Sequence, residues 1–253
     1  MFHRIACSLF ALVSLTSTAQ DYEREKRWAV EVAPGVVVGD VVMQQAASGR
    51  KFMMLHAAGS PGKPALVIVH GIGVHPDHGV IGQLRTRLND AGFTTLSIQM
   101  PVLDKDKRAD DYYPALFPDA VDRIGVAARW LQDMGHNRLL LVSHSLGSWM
   151  SNVYLDRTPA QPFAAWVCIG LTGGFQSRFL GVDWPMLSLG VPILDVYGEN
   201  DLMQSTEAAP RRARSIATNA KSKQVRIDGA DHFHAGKEKE LTAAIVAFIE
   251  ELK

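Results

Sequence analysis

From residue 65 onwards the chain alternates between short unbroken apolar runs and stretches with a helical apolar period. Ala65-Leu66-Val67-Ile68-Val69, bounded by Pro64 and Gly71, has no polar face, so as a strand it must be covered on both sides. Thr94–Ile98, Leu139–Val142, Phe163–Ile169 and Val191–Val196 read as further strands, with Val225-Arg226-Ile227 a shorter one. Between them lie helical stripes. Val80, Ile81, Leu84 and Leu88 follow Asp77 as the expected cap and end at Gly92. Val121, Ile124, Ala127, Ala128 and Leu131 form a second stripe, and Leu241, Ala244, Ile245, Phe248, Ile249 and Leu252 a third. Strands alternating with helices require right-handed crossovers, which predicts an α/β class: a mostly parallel central sheet with helices on both faces. Upstream, Trp28–Val32, Val36–Met43 and Lys51–His56 look like three short strands, separated by Pro34-Gly35 and Ala47-Ser48-Gly49. They predict an antiparallel N-terminal lead-in. In such sheets ligands bind beyond the carboxyl ends of the strands.

The first 19 residues have the pattern of an export signal. Met1-Phe2-His3-Arg4 is basic, Ile5 to Leu15 is apolar, and Thr16-Ser17-Thr18-Ala19 offers small residues for cleavage after Ala19. The apolar run is shorter than the ~20 residues needed to span a bilayer. The expectation is a signal peptide over 1–19, a single domain over 20–253, a periplasmic or secreted location, and no stable membrane insertion after signal removal. Cys168 would then be the one remaining cysteine, in an apolar run where a thiol acts as a small hydrophobe. Lys plus Arg and Asp plus Glu both number 26, so no global field attracts nucleic acid. Neither a dinucleotide fingerprint, a P-loop nor a zinc helix occurs, and no cofactor or metal is expected.

Ser143-His144-Ser145-Leu146-Gly147 lies where the Leu139–Val142 run turns into a helix. It resembles the nucleophile elbow of the α/β-hydrolase superfamily, G-x-S-x-G. The elbow needs small residues two before and two after its serine. Gly147 fits, and Ser143 stands where the pattern has its first glycine. The plainer reading makes Ser145 a helix cap. A serine hydroxyl needs a base to take its proton and an acid to orient that base. The family order is Ser, acid, His. The strand ending in Gly198-Glu199-Asn200-Asp201 resembles the acid loop and makes Asp201 the acid, with Glu199 as its rival and Asp195 inside the strand. Gly229-Ala230-Asp231-His232-Phe233 resembles the histidine loop and makes His232 the base, with His234 as competitor. His70-Gly71-Ile72-Gly73 resembles the His-Gly-x oxyanion loop. The resemblance implies oxyanion donors at the amides of Leu146 and Ile72, with Gly73 as the alternative, and puts His70 and Gly71 beside the substrate.

The resemblance runs from about residue 65 to the C-terminus and extends to small exported bacterial members without an assigned substrate. It implies a serine hydrolase that cleaves a small-molecule carboxylic ester or thioester through an acyl-enzyme. A peptidase or amidase of the same fold, or a non-catalytic envelope binding protein that retains the fold, are the alternatives. His75-Pro76-Asp77-His78 is expected at the pocket rim as a helix entry rather than a metal site, and Lys105 to Asp111 as a solvated loop. Gly170 to Gly190, rich in large apolar residues, forms either a lid or pocket wall, with Phe175 and Trp184 touching substrate, or a packed-down loop.

Overall fold

The computed structural model describes residues 20–112, 115–173 and 190–252. The expected leader over 1–19 and the expected pocket residues Phe175 and Trp184 lie outside them. Eight described strands form one sheet: β1 (Asp40–Gln45), β2 (Lys51–Ala57), β3 (Ala65–Val69), β4 (Thr94–Ile98), β5 (Leu139–His144), β6 (Phe163–Ile169), β7 (Ile193–Asn200) and β8 (Lys223–Asp231). Their order is β1-β2-β4-β3-β5-β6-β7-β8. β1 with β2 and β2 with β4 pair antiparallel, and every other neighbouring pair is parallel. The helices are α1 (Tyr22–Val32), α2 (Gly79–Asp90), α3 (Ala109–Tyr112), α4 (Phe117–Asp133), α5 (Leu146–Arg157), α6 (Met203–Thr206), α7 (Ala209–Ile216) and α8 (Glu238–Glu251).

The apolar runs are strands buried on both faces because alternate side chains enter different cores. Ala65, Val67 and Val69 of β3 pack with Ile124, Ala128 and Leu131 of α4 and with Trp149 and Val153 of α5. Leu66 and Ile68 point the other way, among Ile81, Leu84 and Leu88 of α2 and Ile245 and Phe248 of α8. Cys168 is fully buried, and burial followed by the Asp195 charge pushes its thiol well above the ordinary value.

The N-terminal reading needs correction. Trp28–Val32 is not a strand but the last part of helix α1, followed by a short 3₁₀ turn over Ala33–Gly35. The run before the Pro34-Gly35 break reads as a short strand, but Asp21 caps a helix here, its Oδ1 accepting from the Arg24 amide at 2.9 Å. Glu23 and Glu25 in the first turn add favourable charge at its positive end. Asp77 is likewise not the cap of α2. That position is His78, without a side-chain cap, and Asp77 turns to pair with Arg85, Oδ1 to Nε 2.5 Å. At the other end, β8 runs on to Asp231, well past Ile227.

Candidate active site

β3 pairs with β4 on one side and β5 on the other, so the chain leaves β3 in one direction and later returns to its opposite flank. This switch opens a crevice at the carboxyl ends. Val69, Ser143 and Cys168 lie level across β3, β5 and β6, which brings the 70–74 turn beside the turn at Ser145.

Ser145 has φ 56° and ψ −126°, a strained conformation for a residue with a side chain, and it makes no capping hydrogen bond to α5. The capping reading therefore fails. Its amide donates to the Ile169 carbonyl at 2.9 Å, which ties the turn to β6. Gly147 sits so close to the end of β3 that a Cβ would lie 2.3 Å from the His70 carbonyl oxygen and 2.8 Å from that of Val69. Only glycine lets α5 start there. Ser143 is fully buried, and its hydroxyl accepts from Trp166 Nε1 at 2.8 Å.

Three side chains singled out in the sequence meet in one hydrogen-bonded row. Ser145 Oγ lies 2.9 Å from His232 Nε2, and His232 Nδ1 lies 2.6 Å from Asp201 Oδ1. Asp201 Oδ1 also accepts from the Leu202 amide at 2.7 Å, and Oδ2 from that of Gly198 at 3.4 Å. Burial alone would raise the Asp201 carboxyl. The hydrogen bond and charge of His232, with these amides, outweigh it and hold the acid below its ordinary value. A carboxylate on Nδ1 places that proton on Nδ1 and leaves Nε2 free to accept from the serine.

The rivals lie elsewhere. Glu199 Oε2 accepts from the Gly229 amide at 2.9 Å on the exposed side of β7. Asp195 is fully buried in a two-oxygen pair with Arg212 Nε at 2.9 and 2.8 Å. His234, at φ 52°, is fully buried, and neither ring nitrogen has a hydrogen-bond partner among the described residues.

Three contributors were not recognisable from the sequence. His144, the residue between the two serines, is buried with its Nε2 2.8 Å from the His232 carbonyl and its ring 4.9 Å from that of His232. It braces the histidine loop against the elbow, and burial holds its own imidazole down to about 3. Gly170, at φ 61°, leaves space where a Cβ would stand 3.0 Å from His232 Cε1. Arg212 donates to the Leu171 and Ser205 carbonyls at 2.6 and 2.8 Å, joining the turn after β6 to the helix after Asp201.

His70 differs from its expected place beside the substrate. Its ring is fully buried and does not line the cavity. The Met100 amide donates to Nε2 at 2.8 Å, which leaves the proton on Nδ1 to reach the Gly71 carbonyl at 2.8 Å. In a trans peptide the C=O and the following N–H point in opposite directions. Drawing the Gly71 carbonyl inward therefore turns the Ile72 amide outward, on a turn whose Gly71 and Ile72 both line the cavity. The amide of Leu146 is in the first turn of α5, where N–H groups have no intrahelical partner.

The cavity in front of Ser145 holds about 720 Å³. Ile72, Val74, Val80, Ile81, Leu146, Trp149, Leu202 and Phe233 supply its apolar wall, with no Asp, Glu, Lys or Arg among the described lining residues. The described residues contain no cluster of three metal-ligating side chains, and none of their helices is long and apolar enough to cross a membrane.

Solved structures share this architecture. Est1E from Butyrivibrio proteoclasticus is 16% identical, covering 84% of this chain and 98% of its own, with a TM-score of 0.63. An alpha-beta serine hydrolase homologue from Coxiella burnetii is 16% identical, covering 86% and 99%, with a TM-score of 0.62. The fold is that of the α/β-hydrolases. A third member of this fold, an a/b serine hydrolase without lid from Xanthomonas campestris, is 14% identical over 85% of this chain and 95% of its own, with a TM-score of 0.61. Residues 7–116 match the family described as protein of unknown function (DUF3530). No curated protein matches the chain. An α/β-hydrolase sheet carries many chemistries, so activity has to be argued from the site.

Proposed function

We propose that this protein is a serine hydrolase that cleaves a carboxylic ester or thioester of an uncharged, apolar acyl group through an acyl-enzyme. The observation that carries the reading is the row Ser145 Oγ to His232 Nε2 to Asp201 Oδ1, at 2.9 and 2.6 Å, at the mouth of an apolar cavity. Ser145 Oγ attacks the acyl carbonyl while His232 Nε2 takes its proton, and the carbonyl oxygen becomes an oxyanion facing the amides of Ile72 and Leu146. Collapse returns the proton from His232 to the leaving alcohol or thiol and leaves the acyl group on Ser145. Water, deprotonated by the same imidazole, then releases the acid and regenerates the serine. A neutral substrate suits the lining, since a charged one would lose its hydration without gaining a counter-charge.

A fluorophosphonate probe tests the nucleophile. The protein is expected to be labelled once, on Ser145, and Ser145→Ala to lose both label and ester turnover. Undiminished labelling of Ser145→Ala would place the nucleophile at another residue.

A further inference from the structure

Helix α1 buries a single side chain, and that side chain is a carboxylate. Glu25 is 5% exposed, while no residue of α1 joins either apolar core. A surface helix ordinarily docks through an apolar stripe. This one is held by polar contacts, and they converge on the turns after β3 and β4. Glu25 Oε2 lies 2.8 Å from Arg123 Nη1, and Oε1 accepts from the Val102 amide at 3.2 Å. Arg24 donates to the carbonyls of Gly73 and Leu103, both at 2.9 Å, and the Asp21 amide donates to the Val102 carbonyl at 2.8 Å.

These contacts reach the oxyanion turn by two routes. Fully buried Arg123 donates to the Gln99 backbone carbonyl at 2.9 Å, and the Gln99 side-chain Nε2 lies 3.1 Å from His70 Nε2. His70 in turn fixes the Gly71 carbonyl from inside. Arg24 fixes the Gly73 carbonyl from outside. The Ile72 amide lies between the two anchors. Arg24 also stacks on Trp28 at 4.5 Å, Trp28 meets His75 at 5.7 Å, and His75 meets His78, which lines the cavity.

We propose that α1 is a charged clasp on the oxyanion turn, so that Arg24 and Glu25 are positioning residues for turnover at Ser145. The inference rests on the reading of Ser145 as nucleophile. The chemistry of the clasp makes it removable. No α1 side chain belongs to either apolar core, and without Glu25 the buried Arg123 keeps Asp119, Oδ2 to Nε 2.8 Å, as counter-charge. Variants at Arg24 and Glu25 should therefore fold and retain the Ser145–His232–Asp201 row while the turn loosens. An oxyanion donor misplaced by about an ångström forfeits stabilisation that exists only in the transition state, which lowers kcat more than it raises KM.

The test uses the full chain, chromogenic acetyl and butyryl esters, and amide hydrogen exchange over residues 71–74. Arg24→Ala and Glu25→Gln are expected to lower kcat about 10- to 100-fold with KM within about threefold, and to speed exchange at 71–74. Arg24→Lys, which keeps the charge and one donor, should recover part of the rate. Exchange at 71–74 and kcat both unchanged in Arg24→Ala and Glu25→Gln would overturn the clasp. Wild-type protein that neither turns over nor takes the fluorophosphonate would sink the nucleophile reading instead, and the exchange rates would still decide whether α1 holds the turn.

Discussion

Ser145 and His232 gain their relation from a strand end, a strained turn and a vacant Cβ position, and substitutions there separate chemistry from folding. His232→Ala is expected to remove ester turnover by on the order of 10⁴-fold, and Ser145→Ala with His232→Ala little more than either alone, because the row acts as a unit. His234→Ala should cost less than about tenfold, since its buried ring touches neither Ser145 nor Asp201 through a hydrogen bond. Steady-state kinetics on the three variants decide between the two histidines, and a crippled His234→Ala beside an active His232→Ala would reverse the assignment. Gly170→Ala is a finer probe. Its φ of 61° costs a side chain about 1–2 kcal/mol, and the added methyl presses on His232. Activity should fall by more than that destabilisation explains, measured as kcat at a temperature where the variant remains fully folded. Of these residues, Ser145, Asp201 and His232 were legible from local motifs, because each motif spans only a few neighbouring positions. Gly170 was not, since its requirement comes from a ring 62 positions away in the chain.

Elements place two imidazoles in buried surroundings that disfavour their charged form. His70 closes the end of β3 and His144 the end of β5, both buried, and burial holds each down to about 3 from the ordinary 6.5. Below about pH 6.5 the unfolded chain takes up protons that these folded sites refuse, so stability is present above that pH and is lost as pH falls towards 3. Each contributes a slope of up to about 1.4 kcal/mol per pH unit. His56, His75 and His234 act in the same sense, and the raised carboxyls Glu25 and Asp195 oppose it. Subtraction isolates one group: denaturant unfolding of His144→Gln across pH 4.5–7 should show a shallower dependence than wild type. Equal slopes would mean that His144 titrates freely in the fold. At this scale the sequence conveyed the doubly buried strands through their apolar runs. It misreported α1, because the run before Pro34-Gly35 has the length and turn boundary of a short strand while the helix is decided by the Asp21 cap and by contacts to distant turns.

The whole molecule turns a topological switch into an apolar cavity with an exposed rim. Leu202 and Phe233 line the mouth at 46% and 63% exposure. Each methylene that enters such a wall gains about 0.8 kcal/mol, roughly fourfold in kcat/KM. Activity on a series of straight-chain acyl esters is therefore expected to climb from acetyl until the cavity is filled. Leu202→Ser should flatten the climb for the longer chains and leave acetyl turnover within about twofold, as the side chain contributes to neither apolar core. A series with no dependence on chain length would show that the acyl group binds outside this cavity.

By itself the sequence determined which segments must be buried, that the chain builds a mostly parallel sheet between helices, and which short motifs fall at strand ends. Those properties follow from periodicity and from turn chemistry, which act over a few residues. Tertiary structure alone decided that His70 faces inward onto the Gly71 carbonyl, that His144 braces His232, that Arg212 joins the turn after β6 to helix α6, and that Arg24 of α1 holds the Gly73 carbonyl in the turn after β3. Each of these joins groups from separate elements in low-dielectric surroundings, where a hydrogen bond or ion pair is worth its desolvation only once the sheet has set the distance.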